Sequence, residues 1–193
     1  MARTREFDTD EVVAAAMETF RRTGYEGTSI GDLVAATGLG RGSIYAAFGS
    51  KEGLYLAAVD LYRQRYATPL IDLLRAGSPA REVIREVFVG LVDEIVRDGR
   101  RQACLIAAAA MERAHQDDRV AQRLRATTGS LELALFDLIA EAQLRGQIPA
   151  DRSPNDLAGF LVMSLQGIRV MGAINPDRDA LLRSVGVVLS CLG

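Results

Sequence analysis

Between its glycines and prolines this chain is filled with alanine, leucine, arginine and glutamate, and no Asn-Gly or Asp-Gly pair sits between alternating apolar runs. Strong helix formers bounded by breakers, without a hairpin signal, confine the fold to helices. Cap residues then place the boundaries. Asp8 and Glu11 open a first helix over 9–23 with Val13, Met17 and Phe20 on one face, and Gly24 stops it. Thr28 and Ser29 cap a short helix through Ala36, with Asp32 at capping-box spacing. Residues 37–40 make a turn, and a second short helix covers 41–48. Ser50 caps a long helix from Lys51, with Leu54, Ala58, Leu61, Tyr62 and Tyr66 on one side, until Pro69 kinks or ends it.

The same punctuation continues. Ser78 and Pro79 open a helix to about Asp98 that buries Val83, Val87, Leu91 and Ile95, and Gly99 closes it. Residues 104–115 are apolar nearly all round, which predicts a central helix, and 117–146 is long and amphipathic with Leu124, Leu131, Leu135, Leu138 and Ile139 inward. Ser153, Pro154 and Asp156 open another, running to about Ala173. Asn175, Pro176 and Asp177 start the last, where Leu181, Val185, Val188 and Leu192 recur at helical spacing. The expectation is an all-α protein of about nine helices, the first three compact and the rest longer.

At 193 residues the chain can bury a core without disulfides or metals. The longest strictly apolar run, 104–111, is eight residues, so no helix is predicted to cross a bilayer. Residues 1–7 carry Arg3 and Arg5 with no apolar stretch behind them, which argues against a signal peptide and for the cytoplasm. Two cysteines, Cys104 and Cys191, and one histidine, His115, make neither a disulfide scaffold nor a zinc site. His115 with Asp117 and Asp118 reads as a surface helix end. No metal or cofactor is expected. Enzyme chemistry finds no phosphate-binding glycine loop and no nucleophile–base pair beyond Cys104 and a distant His115, so the chain is not expected to be an enzyme. Net charge is −2, and the first 55 residues hold six basic side chains against eight acidic ones. Bulk charge announces no nucleic acid; any DNA contact rests on where a few cations sit.

Two short helices joined by a tight glycine turn, with a third in support, form a helix-turn-helix unit, whose second helix enters a major groove. Gly38 gives the turn its backbone freedom, Leu33, Leu39 and Ile44 pack the two helices, and Phe48 anchors the second to the long helix behind it. Val34 fills a place such units usually give to a smaller residue, so slight re-packing is expected.

The run Thr28-Ser29-Ile30, then Thr37-Gly38-Leu39-Gly40-Arg41-Gly42-Ser43-Ile44-Tyr45-Ala46-Ala47-Phe48-Gly49-Ser50-Lys51-Glu52-Gly53-Leu54, resembles the DNA-binding signature of the TetR/AcrR repressor family. The likeness spans residues 9–55. It implies a DNA-binding domain over 1–56 and a ligand-binding and dimerisation domain over 57–193. By the same resemblance Thr28 and Ser29 at one helix start and Lys51 at another meet phosphates. Arg41, Gly42 and Ser43 approach base edges, Tyr45 packs its ring and reaches a phosphate, and Ala46 and Ala47 offer methyl contacts to thymine. Arg3 and Arg5 form either a flexible DNA arm or a functionless tail.

A homodimer is expected, because the last two helices are apolar on more than one face: Leu157, Phe160, Leu161, Leu165 and Ile168 on one, Leu181, Val185, Val188 and Leu192 on the other. Two recognition helices about 34 Å apart would then match a pseudo-palindromic double-stranded operator. The candidate effector-binding residues are Cys104, Met111, Phe136, Met163 and Gln166; the small and soft side chains of Cys104, Ala107 to Ala110, Met111, Met163 and Met171 would leave an apolar cavity for an apolar or aromatic compound. Cys104 follows Arg100 and Arg101, a setting for an electrophile or oxidant sensor, with a buried inert thiol as the competing reading. Effector binding is expected to swing the helix that starts at Lys51 and release a repressor from its operator. The alternative is a helical small-molecule-binding protein that does not bind DNA.

Overall fold

The computed structural model describes residues 8–76, 79–98 and 104–193. Arg3 and Arg5, the cap residue Ser78, Gly99 and the Arg100–Arg101 pair lie outside the described residues. Ten α-helices follow one another: α1 Thr9–Thr23, α2 Ile30–Thr37, α3 Arg41–Phe48, α4 Lys51–Tyr62, α5 Thr68–Ala76, α6 Ala80–Asp98, α7 Leu105–Glu112, α8 Asp118–Leu144, α9 Pro154–Ile174 and α10 Arg178–Leu189. A π-helical turn, Arg63–Ala67, joins α4 to α5 into one continuous rod, so the described residues hold nine rods. No strand occurs among them.

The caps are those the sequence announces. The Asp8 carboxylate accepts from the amides of Asp10 and Glu11, and Ser29 and Asp32 form a complete capping box. Ser50, Ser153 and Asp177 each accept from a first-turn amide of the helix that follows. Gly38 takes φ +69°, the left-handed conformation that lets the chain turn sharply between α2 and α3. Pro69 neither ends nor sharply breaks its helix. Its ring would collide with a carbonyl one turn back, and the widened π turn, in which Thr68 N–H donates to the Arg63 carbonyl five residues earlier, accommodates it.

Two apolar clusters organise the packing. One gathers Met17, Phe20, Leu33, Ile44, Leu54, Tyr55 and Tyr62 from α1–α4 and takes in Leu105, Ile106 and Ala109 of α7 with Val120 and Leu124 of α8. The other joins α5, α6, α9, α10 and the C-terminal part of α8 around Phe88, Leu135, Ile139 and Leu161. α7 is therefore not central, contrary to its all-round apolar composition: it lies along the N-terminal cluster, and Met111 is 81% exposed. Alanine makes a helix read as apolar without obliging it to be buried. α9 is long and apolar enough to cross a membrane by length and composition, although the longest strictly apolar run of the chain is eight residues. Leu157, Leu161, Leu165 and Ile168 are packed in the core of this fold.

Candidate nucleic-acid interface and effector cavity

α3 lies on the surface, held from beneath. Ile44 is fully buried and Phe48 half-buried in the N-terminal cluster, while Arg41, Gly42, Ser43, Tyr45, Ala46 and Ala47 all face outward. One anchoring turn thus leaves the whole opposite face free. The N-cap of α3, Gly40, has no side-chain oxygen to occupy the leading amides, and a Cβ at Gly42 would meet nothing within 4 Å. Tyr45 is 42% exposed. Val34 is half-buried against the same cluster, so the larger side chain is accommodated.

Thr28 requires a correction. It is 1% exposed, its hydroxyl donates to the Gly24 carbonyl at 2.6 Å, and it shares a 2.7 Å hydrogen bond with Thr23. The hydroxyl is spent on closing the loop between α1 and α2 and does not face a phosphate. Ser29 is exposed, but its hydroxyl serves Asp32, whose carboxylate also accepts from the Ser29 amide at 2.8 Å. Those bonds hold the Asp32 carboxyl below its ordinary pKa, so a negative charge already occupies the start of α2. Lys51 does not extend into solvent either. Its ammonium sits 4.2 Å above the Tyr25 ring, and burial lowers its pKa, with Arg113 adding to that effect and Glu26 opposing it.

Tyr25 is the centre of a seam that the sequence did not reveal. Its ring packs edge-on against Tyr55 at 4.8 Å and carries the Arg113 guanidinium at 4.4 Å. The backbone amides of Tyr25 and Glu26 donate to one carboxylate oxygen of Glu112, at 2.6 and 3.3 Å. Glu112 ends α7, so a helix outside the helix-turn-helix unit clasps the turn between α1 and α2. At Gly24, whose φ of +72° favours glycine, a Cβ would have to push that carboxylate aside. Arg113 reaches Glu52 at 3.0 Å, and Arg119 reaches Glu52 at 2.9 Å and Asp117 at 3.1 Å. The hydrogen bonds from Arg119 hold the Asp117 carboxyl at about 2. A glutamate at a helix end and the arginine after it carry no pattern of their own; only the fold brings them to Tyr25.

On the other side of α7 lies a narrow, partly open cleft with about 40 Å³ of room for water-sized centres. Tyr62 and Tyr66, stacked at 4.6 Å, form one wall, with Leu91, Leu131 and Leu165 giving apolar surface and Arg169 a charge. Cys104 and Gln166, both predicted, line it: the Tyr62 hydroxyl donates to the Cys104 sulfur at 3.6 Å, and that sulfur lies 4.0 Å from the Gln166 carbonyl oxygen. The other three effector candidates lie elsewhere. Met111 and Met163, 81% and 68% exposed, face solvent, and Phe136 borders a separate surface groove with Glu132 and Asn155. Helical phase sets Met163 apart from the cavity, because on α9 it points away from the face that carries Leu165 and Arg169. The tyrosine wall also touches the helix-turn-helix unit. Arg21 of α1, 4% exposed, donates to the Tyr66 hydroxyl at 2.9 Å and stacks on both rings at 5.5 and 4.9 Å.

The stripes expected to pair two subunits are mostly core: Leu157, Leu161, Leu165, Ile168, Leu181, Val185 and Leu192 are all buried within the chain. Phe160 of the expected stripe is exposed, in line with Met163, Val170, Met171 and Ile174 on α9 and with Val187 on α10.

This arrangement has well-populated counterparts. Residues 12–58 match the family of bacterial regulatory proteins, tetR family, and residues 80–186 match the tetracyclin repressor-like C-terminal domain. The uncharacterized HTH-type transcriptional regulator YezE of Bacillus subtilis is 32% identical over the whole of both chains. The HTH-type transcriptional repressor ComR of Escherichia coli K12 is 27% identical over 97% of this chain and 90% of its own. A cysteine-substituted form of the TetR family transcriptional regulator CifR, complexed with 26-base-pair double-strand operator DNA, superposes with a TM-score of 0.88 at 30% identity, covering 99% of this chain and all of the other. An exposed helix over a buried isoleucine, a four-helix head clasped to a helical body, and likeness along the full length lead to one assignment: the chain belongs to the TetR family of bacterial transcriptional regulators.

Proposed function

We propose that the protein is a repressor that binds a pseudo-palindromic operator as a homodimer and leaves it when a small molecule enters the cavity beside Tyr62 and Tyr66. The observation that carries this reading is α3: six of its eight residues face outward while Ile44 and Phe48 fix it to the core. Arg41 supplies the bidentate donor suited to guanine, Ser43 and Tyr45 supply hydroxyls, Ala46 and Ala47 supply methyls, and Gly42 lets the backbone come close. Lys51 joins this set only if DNA draws it off the Tyr25 ring. The DNA-binding unit spans 1–56 in this reading and the effector and dimer unit 57–193, with the seam at Tyr25 between them.

Repression as the sign of control is supported by likeness to ComR, and a cytoplasmic site of action by the company of bacterial DNA-binding regulators. Regulation, not catalysis, is the activity. Dimerisation is supported by the exposed stripe on α9 and α10, which a second copy would cover in a four-helix bundle. The effector acts through two contacts that run from the cavity to the head: Tyr66 to Arg21 on α1, and α7, whose N-cap Cys104 and whose Ile106 line the cavity while its Glu112 grips the turn after α1. Displacing either shifts α1 and α4 together and changes the separation of the two recognition helices, with a coupling of about 1 to 3 kcal/mol.

The test is fluorescence anisotropy on the DNA upstream of the protein's own gene. Arg41→Ala and Tyr45→Ala lose specific binding while circular dichroism and sedimentation stay those of the parent. Loss of helix content instead would make these residues structural, and a parent that binds no DNA would favour the helical small-molecule-binding protein without DNA contact.

A further inference from the structure

Among the described residues Arg169 is the one charged side chain that lines the cavity. Its side chain is 15% exposed, and among described residues its sole charge partner is Glu94 at 3.8 Å, beyond hydrogen-bonding reach. A guanidinium carries five N–H donors, and no described group accepts from this one. Burial works against the charge, yet Tyr62, Cys104 and Glu94 more than offset it and raise its pKa, so the guanidinium stays charged. A second guanidinium, Arg21, stacks on the same Tyr62–Tyr66 pair. Arg113 Nε, and no Arg169 nitrogen, is the sealed donor without a partner among the described residues, so the Arg169 fork is open to solvent and free to take an acceptor.

We propose that the cavity takes a small organic acid, its carboxylate held by the Arg169 guanidinium and its apolar body lying among Tyr66, Leu70, Leu91, Leu131 and Leu165. This rests on reading the cavity as the effector site and replaces a wholly apolar ligand with one that has an anionic head. A planar fork matches two carboxylate oxygens in a bidentate pair. A phosphate dianion suits the site less, because Glu94 stands next to the only guanidinium that lines it among the described residues. In the empty state Glu94 is the fallback partner, and an incoming acid competes with it.

Isothermal titration calorimetry of the full-length protein with benzoate and hexanoate, against benzamide and hexanamide, tests this. At least one acid binds and its amide binds at least about tenfold more weakly, the least that loss of an ion-paired hydrogen bond should cost. Arg169→Gln erases the difference, Arg169→Lys keeps part of it, and Glu94→Gln tightens acid binding by removing the competitor. If circular dichroism reveals that the Arg169 variants do not fold, the direction of change in Glu94→Gln decides alone. Equal binding of acid and amide, undiminished acid binding by Arg169→Gln, weaker binding by Glu94→Gln, or no binding of either acid overturns the proposal. Leu91→Trp separates the two levels. If it abolishes binding of acid and amide alike where both bind equally, the cavity stands as the effector site and only the acid class falls; if it leaves binding intact, the probes sit elsewhere and both readings fall.

Discussion

Thr28 and Ile44 illustrate how a side chain in a DNA-binding head divides between holding and touching. Ile44 fills the N-terminal core so that its neighbours on α3 can project, and Thr28 closes the α1–α2 loop with two short hydrogen bonds. Thr28→Val keeps the shape and removes both bonds, so chemical denaturation should report a loss of about 1 to 2 kcal/mol, while the salt dependence of operator binding stays unchanged. A salt slope reduced by about one would mean that the hydroxyl does meet a phosphate. The signature string places Arg41, Ser43 and Tyr45 on the outward face because their spacing around Ile44 follows the helical period. It says nothing of whether a threonine at a helix start turns inward, which depends on Thr23 and the Gly24 carbonyl one loop away. Lys51 repeats the lesson, since the ring that receives its ammonium lies twenty-six residues earlier, at Tyr25.

Among the elements, α7 does the most with the least sequence signal. It is eight residues long, half of them alanine, and joins the cavity at its N-cap Cys104 and at Ile106 to the head at Glu112. Glu112→Ala should free the amides of Tyr25 and Glu26, and hydrogen exchange there should speed by about 5- to 30-fold, equivalent to about 1 to 2 kcal/mol of lost local stability. Unchanged exchange would mean that the clasp contributes nothing in solution. Helix ends were legible because each is written locally: Asp8, Ser29, Ser50, Ser153 and Asp177 all cap where their side-chain oxygens permit. The π turn was not, because a proline reads as a stop unless the widened turn before it is known. That turn carries Tyr66 and Ala67, two residues of the cavity wall.

For the whole molecule, the outstanding surface is the α9–α10 stripe. The apolar periodicity of α9 announces too much hydrophobic surface for one face, but it does not say which face turns inward; Leu157, Leu161, Leu165 and Ile168 do, leaving Met163, Val170, Met171 and Ile174 outside. Met163→Glu places a charge in the middle of that stripe, so sedimentation equilibrium should shift from dimer to monomer with helix content retained. A variant as dimeric as the parent would put the interface elsewhere. The fold class and the recognition helix could be read from the chain alone, whereas the seam at Tyr25 and the charge of the cavity arise from residues that only packing brings together. The central claim, that α3 presents its outer face to DNA, is tested most directly by titrating the promoter fragment at increasing salt. The account predicts tight binding at low salt whose log K falls linearly with log salt, by about 0.9 for each phosphate neutralised. Binding that is absent at low salt, or that does not change with salt, would contradict it.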